Sequence, residues 1–117
     1  MINKMSETRL QQEIIMWFNN EYPLYRGLLC YNNNNSTGSV RGVWNKFLGI
    51  IKGRSDLTFY FDGNAYMIEL KTLKGRQSEV QKDWEKLIVR HGFTYIVVRS
   101  LQDFKIAIHK IINNLEY

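Results

Sequence analysis

Apolar positions in this chain follow helical and strand periods in turn. Leu10, Ile14, Trp17 and Phe18 recur at i, i+4, i+7 and i+8, the spacing of an amphipathic helix. Ser6 stands where its side chain would cap that helix, and Glu7 lies in the first turn, where the backbone dipole favours an acid. Pro23 lies beyond its end. Leu28 to Tyr31 reads as a short strand. Leu57 to Phe61 and Ala65 to Thr72 read as two more, with Asp62-Gly63-Asn64 between them as a hairpin signal. Val80, Trp84, Leu87, Ile88 and His91 mark a second helix, ended by Gly92. Tyr95 to Val98 is a β-branched strand. Ser100 with Asp103 resembles a capping box opening a last helix that carries Leu101, Phe104, Ile108, Ile111 and Leu115.

One region is less regular. Asn32 to Gly38 is a polar, asparagine-rich run that reads as a loop. Val40 to Ile51 places Val43, Trp44, Phe47 and Ile51 near helical spacing, but Gly49 and Gly53 predict a short or irregular helix. The order is therefore α-β-(α)-β-β-α-β-α. The expected fold is α/β, a small mixed sheet flanked by helices.

With 117 residues, 44% of them hydrophobic, the chain has material for one core and one domain over residues 1–117. No run of eighteen apolar residues suggests a membrane span, and no signal-peptide pattern opens the sequence. Cys30 is the one cysteine, so an internal disulfide is impossible and a reducing cytoplasm is the expected compartment. Its apolar surroundings assign it to packing. His91 and His109 lack ligand-like spacing, and no CxxC motif offers a zinc site.

The charge pattern adds a direction. The net charge is +5, which suits a polyanionic partner. Arg41, Lys46, Lys52 and Arg54 precede Asp56 with no acid among them, and Lys71, Lys74 and Arg76 follow Glu69 in the same way. Asp56 and Glu69 thus sit in the most basic part of the chain.

The hairpin relates these acids in space. A Gly63-Asn64 turn would set Asp56 opposite Lys71 and Thr58 opposite Glu69. An Asp62-Gly63 turn would set Asp56 opposite Glu69. In either register Asp56, Glu69 and Lys71 share one face, because side chains alternate along a strand. Two carboxylates with a backbone carbonyl, such as that of Leu70, suit a hard cation, Mg²⁺ or Mn²⁺. Such an ion hydrolyses phosphodiesters by polarising the phosphate and activating water. Lys71 would position that water or neutralise charge on the phosphorane, and the basic neighbours would hold a phosphate backbone. The competing reading is a cross-strand ion pair on a wet face.

Gly53-Arg54-Ser55-Asp56-Leu57, Ile68-Glu69-Leu70-Lys71, Gln77-Ser78-Glu79-Val80-Gln81 and Ile96-Val97-Val98-Arg99-Ser100 together resemble the VRR-NUC family of the PD-(D/E)XK nuclease superfamily. The resemblance covers nearly the whole chain. It implies a restriction-endonuclease-like core in a minimal, stand-alone nuclease domain. The family's G-x-x-D acid falls on Asp56, its E-x-K pair on Glu69 and Lys71, its helix-borne acid on Glu13, and its glutamine on Gln81 in an S-x-x-Q pattern. Ser55 stands where the superfamily carries proline, and Ser100 replaces the second arginine of the signature beside Arg99.

The resemblance implies a metal-dependent DNA endonuclease. Asp56, Glu69 and the Leu70 carbonyl would bind Mg²⁺ or Mn²⁺, Lys71 would be the catalytic cation, and Glu13 and Gln81 would assist. Arg41, Lys46, Lys52, Arg54, Lys74, Arg76 and Arg99 would contact DNA. Stand-alone members resemble Holliday-junction resolvases and are dimers, which implies branched DNA as partner and a homodimer, with Trp44, Phe47 and Ile50 as interface candidates. The implied setting is a bacterial cytoplasm, in a phage or mobile element. A monomeric flap or nicking nuclease and a non-catalytic nucleic-acid-binding module are the alternatives. Ser78 and Gln81 also fit a plain capping box, and Trp84 fits the core.

Overall fold

The computed structural model describes residues 6–32 and 47–114. Helix α1 runs Glu7–Glu21, followed by a 3-10 turn at Pro23–Tyr25. Strands β1 (Leu29–Tyr31), β2 (Leu57–Phe61) and β3 (Asn64–Leu70) come next, then α2 (Glu79–Arg90), β4 (Thr94–Val98) and α3 (Leu101–Ile112). The expected order is reproduced. Most of the irregular Val40–Ile51 segment lies outside the described residues. Its described end is a turn, with Gly49 at φ +91°.

The sheet order is β1-β2-β3-β4. β1–β2 and β2–β3 pair antiparallel, and β3–β4 pair parallel with α2 as the crossover. A parallel pair needs such a connection, because a tight turn cannot reverse the chain twice. The hairpin takes its register from Asp62-Gly63. Both residues have positive φ, +51° and +81°, as a two-residue type I′ turn requires. Leu57 therefore pairs with Ile68 and Phe59 with Tyr66. Continued one step, this register sets Asp56 opposite Glu69.

Alternation divides the sheet into two faces. Leu57, Phe59, Ile68, Leu70, Ile96 and Val98 point to one of them. There they meet Leu10, Ile14 and Phe18 of α1 and Phe104, Ala107, Ile108 and Ile111 of α3. Phe18 makes edge contacts with Phe59 and Phe104. Each buried side chain of this size contributes roughly 1.5–3 kcal/mol, so this side anchors the fold. Helix α2 covers the opposite face and has no fully buried residue. Its Trp84 packs edge-on against Tyr95 rather than entering the main core.

The caps are local and legible. Ser6 Oγ accepts from the Arg9 N–H at 3.1 Å. Ser78 and Gln81 form a full capping box. At α3 only half of the expected box forms: Ser100 Oγ accepts from the Asp103 N–H, while the Asp103 carboxylate reaches one residue further back, to the Arg99 N–H.

Gly53 joins the two halves of this architecture. Its φ is +85°, and a Cβ built there would lie 2.6 Å from both Cγ1 and the carbonyl oxygen of Val80 in α2. Neither a positive φ nor a backbone clash suits alanine. Gly53→Ala is expected to destabilise the protein by more than about 1 kcal/mol, read as a lower urea midpoint. An unchanged midpoint would show that the loop and α2 separate freely.

Candidate active site

Asp56 enters the site from the loop preceding β2. Its Oδ2 accepts the Leu70 N–H at 2.7 Å. The loop is braced from behind by Asn32, which is buried. The Asn32 backbone N–H donates to the Asp56 carbonyl at 2.8 Å, and its amide donates to the Ser55 carbonyl at 3.2 Å and to Thr58 Oγ1 at 2.7 Å. Ser55 is also buried, and its hydroxyl donates to the Leu57 carbonyl. A proline there would lack this bond. The loop is thus held on both sides of the carboxylate.

Glu69 stands on the face covered by α2, between β2 and β4, and is 0% exposed. Tyr95 Oη donates to Glu69 Oε1 at 2.5 Å. Glu69 Oε2 is buried and has no hydrogen-bond partner among the described residues. An orphaned carboxylate oxygen is expensive unless something outside the protein's own hydrogen-bond donors meets it. Lys71 follows at the end of β3 with 7% exposure, its backbone N–H held by the Val98 carbonyl at 3.0 Å.

The electrostatics follow from burial. Desolvation raises the Asp56 pKa, opposed by the Leu70 N–H and by Lys71. Burial also raises Glu69, opposed by the Tyr95 hydroxyl and Lys71, while Asp56 pushes it further up. Burial and the Glu69 carboxylate raise the Tyr95 phenol, which keeps it a donor. The three groups predicted to share one face therefore do act on one another.

Of the acids on α1, Glu7 is the one that interacts with Lys71 and Asp56. Glu7 is an exposed residue, but partial loss of water around its carboxyl raises its pKa. Glu13 instead pairs with Arg9 at 3.8 Å, one turn further along α1. The first-turn position that identifies Glu7 as a dipole partner also places it at the helix end nearest the carboxylates. Gln81 has its amide oxygen in the capping box, 2.8 Å from the Ser78 N–H. Gln77 is the glutamine near the centre: its amide lies close enough to lower the pKa of both Glu69 and Tyr95, but the hydrogen bond it makes with proper geometry goes to Glu85, at 2.9 Å, and leaves Glu69 Oε2 unmet. The polar run gave no signal that Asn32 would be a buried brace.

The basic candidates divide in the same way. Arg41 and Lys46 lie outside the described residues, as does Trp44. Lys52, Lys74 and Arg76 are exposed on the loops flanking Asp56 and Lys71, while Arg54 is half-buried in a groove with Trp84 and Ile88. Arg99 has a structural task. Its Nη1 donates to the carbonyls of Thr72 and Gly75, each at 2.7 Å, and closes the loop after β3.

Among the described residues no three Asp, Glu, His or Cys side chains form a ready-made metal cage. Two carboxylates still fit one class of ion. Mg²⁺ keeps several waters and takes one or two carboxylates together with substrate phosphates. The lone oxygen of Glu69 and the carboxylate of Asp56 match that donor set. The Leu70 carbonyl is on the same side of β3 as its N–H, which faces Asp56. It can complete the set.

Comparison with known proteins gives the family and the fold. A family model described as the VRR-NUC domain matches residues 4–102. A solved structure of a VRR_NUC domain protein superposes with a TM-score of 0.79 at 15% identity, covering 98% of this chain and 94% of that one. No curated protein matches the sequence. Among the described residues no helix is long and apolar enough to cross a membrane.

The raised carboxyls carry a stability consequence. A carboxyl whose folded pKa is raised supports the folded state below its ordinary range and loses that contribution as pH rises through the raised value. At neutral pH the buried Glu69 charge therefore opposes folding. Glu69→Gln is expected to raise the melting temperature in EDTA at pH 7, and the gain should shrink as pH falls towards 4.5, the ordinary value for Glu69. A pH-independent difference would mean that burial of the charge is not the cause.

Proposed function

Because the chain belongs to the VRR-NUC domain family, a nuclease-type family, we propose that it is a metal-dependent DNA endonuclease acting on branched DNA as a homodimer. One observation carries the catalytic part: the buried Glu69 Oε2, without a hydrogen-bond partner among the described residues, on the same face as Asp56 and Lys71. A surface ion pair would leave neither oxygen in that state, and it would be wet.

Asp56, Glu69 and the Leu70 carbonyl would hold the ion. A bound Mg²⁺ or Mn²⁺ supplies Lewis-acid polarisation of the scissile phosphate and a lowered pKa for an attacking water. Lys71, nearly buried, presents a fixed cation to the charge that builds on the phosphorane. Burial strengthens that interaction relative to one in water. Glu7, which feels both Lys71 and Asp56, takes the supporting acidic role at the helix end. Lys52, Lys74 and Arg76 lie on the flanking loops, where they can meet backbone phosphates.

The junction and dimer parts rest on other grounds. Symmetric incision of two strands calls for two sites related by a two-fold axis. Leu48 and Ile51 expose 67% and 51% of their surfaces, which supports an apolar contact between copies in the segment that holds the interface candidates.

The test is cleavage of labelled four-way junction, splayed-arm and plain duplex DNA with Mg²⁺, Mn²⁺ or EDTA, alongside the particle mass in solution. Paired cuts confined to the junction, dependent on metal and made by a dimer, are expected. Lys71→Ala should slow them by about 10²-fold or more. Cuts by a monomer at single-strand junctions would replace the resolvase reading with a flap or nicking nuclease. Binding without cleavage in any metal would leave a DNA-binding module.

A further inference from the structure

Tyr95 does something that the proposed chemistry does not require of it. It reaches across from β4 and donates its hydroxyl to Glu69 Oε1, so that only one oxygen of this buried carboxylate is left without a partner. The ring is held in place: Trp84 of α2 packs against it edge-on, with centroids 6.0 Å apart. Asp56 stands on the other side of β3, in line with β2, and its own carboxylate is oriented by the Leu70 N–H. Glu69 is therefore tied on the β4 side, away from the strand that brings the second carboxylate.

We propose that Tyr95 is a positioning residue that sets cation selectivity, by holding Glu69 as a single-oxygen donor. This rests on the metal-dependent reading above. The chemistry is that of coordination number. Mg²⁺ is small, demands near-octahedral geometry and keeps several of its waters. A carboxylate that offers one oxygen suits it. Ca²⁺ is larger, takes six to eight oxygens and accepts both oxygens of one carboxylate. The phenol takes one lone-pair site of Oε1 and fixes the rotation of the carboxylate, which disfavours the bidentate arrangement that Ca²⁺ would use. Tyr95 thus acts on the ion through Glu69, as hydrogen-bond partners of metal-binding carboxylates do.

Tyr95→Phe removes the hydroxyl and retains the ring edge against Trp84. The experiment follows bound Mn²⁺ by electron paramagnetic resonance and displaces it with Mg²⁺ or Ca²⁺, for wild type, Tyr95→Phe and Trp84→Phe. Melting in EDTA checks that each variant is folded. Wild type should hold Ca²⁺ no more tightly than Mg²⁺, a requirement that stands without any variant. In Tyr95→Phe the ratio of the Ca²⁺ to the Mg²⁺ dissociation constant should fall about ten-fold, while Trp84→Phe leaves it near the wild-type value.

An unchanged ratio in Tyr95→Phe, or equal weakening for both ions, would overturn the selectivity role and leave the metal-dependent reading standing. Wild-type preference for Ca²⁺ would overturn it too. If wild type binds no Mn²⁺, the metal-dependent reading falls and this inference falls with it.

Discussion

The site depends on the register of one hairpin. Two residues, Asp62 and Gly63, take positive φ and fix the pairing of β2 with β3. Side chains alternate with a period of two, so a slip of one residue would move β3's apolar set to the wrong face. Ile68 and Leu70 would leave the core, and Glu69 would enter it. The core opposes that slip with Phe18, Phe59 and Phe104 packed together. The apolar face thus enforces the geometry of the polar one. The bond from the Leu70 N–H to Asp56 then closes the hairpin's open end.

Much of this was legible because it is local or periodic. Helical spacing gave α1, α2 and α3, and alternation gave the shared face of Asp56, Glu69 and Lys71. The turn residues narrowed the register to two choices but could not select between them, since Asp62-Gly63 and Gly63-Asn64 are both good turn pairs. The sequence does not decide where a side chain acts across elements. Glu7 and Glu13 both flank the apolar stripe of α1, and only packing shows which end of that helix meets the sheet. Gln77 and Gln81 are four residues apart, and only the capping box shows that the amide oxygen of Gln81 is engaged at the helix end. Tyr95 read as a strand residue with high β-propensity, and nothing in its neighbours announced a bond to Glu69.

The two faces of the sheet carry different duties. One holds the aromatic and aliphatic core and keeps its distance from charge. The other buries an acid and a lysine and half-buries a tyrosine beneath a helix that has no fully buried residue of its own. Burial there raises the affinity of the carboxylates for protons and makes their charged forms dependent on compensation. Lys71 supplies part of it from the same strand end. The core that anchors these strands takes no part in the set itself.

The Arg99 guanidinium has a consequence for recognition. By gripping the carbonyls of Thr72 and Gly75 it fastens the loop that carries Lys74 before any partner arrives. A loop already ordered has less conformational freedom to surrender on association. Were Lys74 to meet a phosphate as proposed, arginine in this position would favour that contact without touching the polyanion. It reduces the entropic penalty of the encounter, and it does so from the side of the loop turned towards the protein.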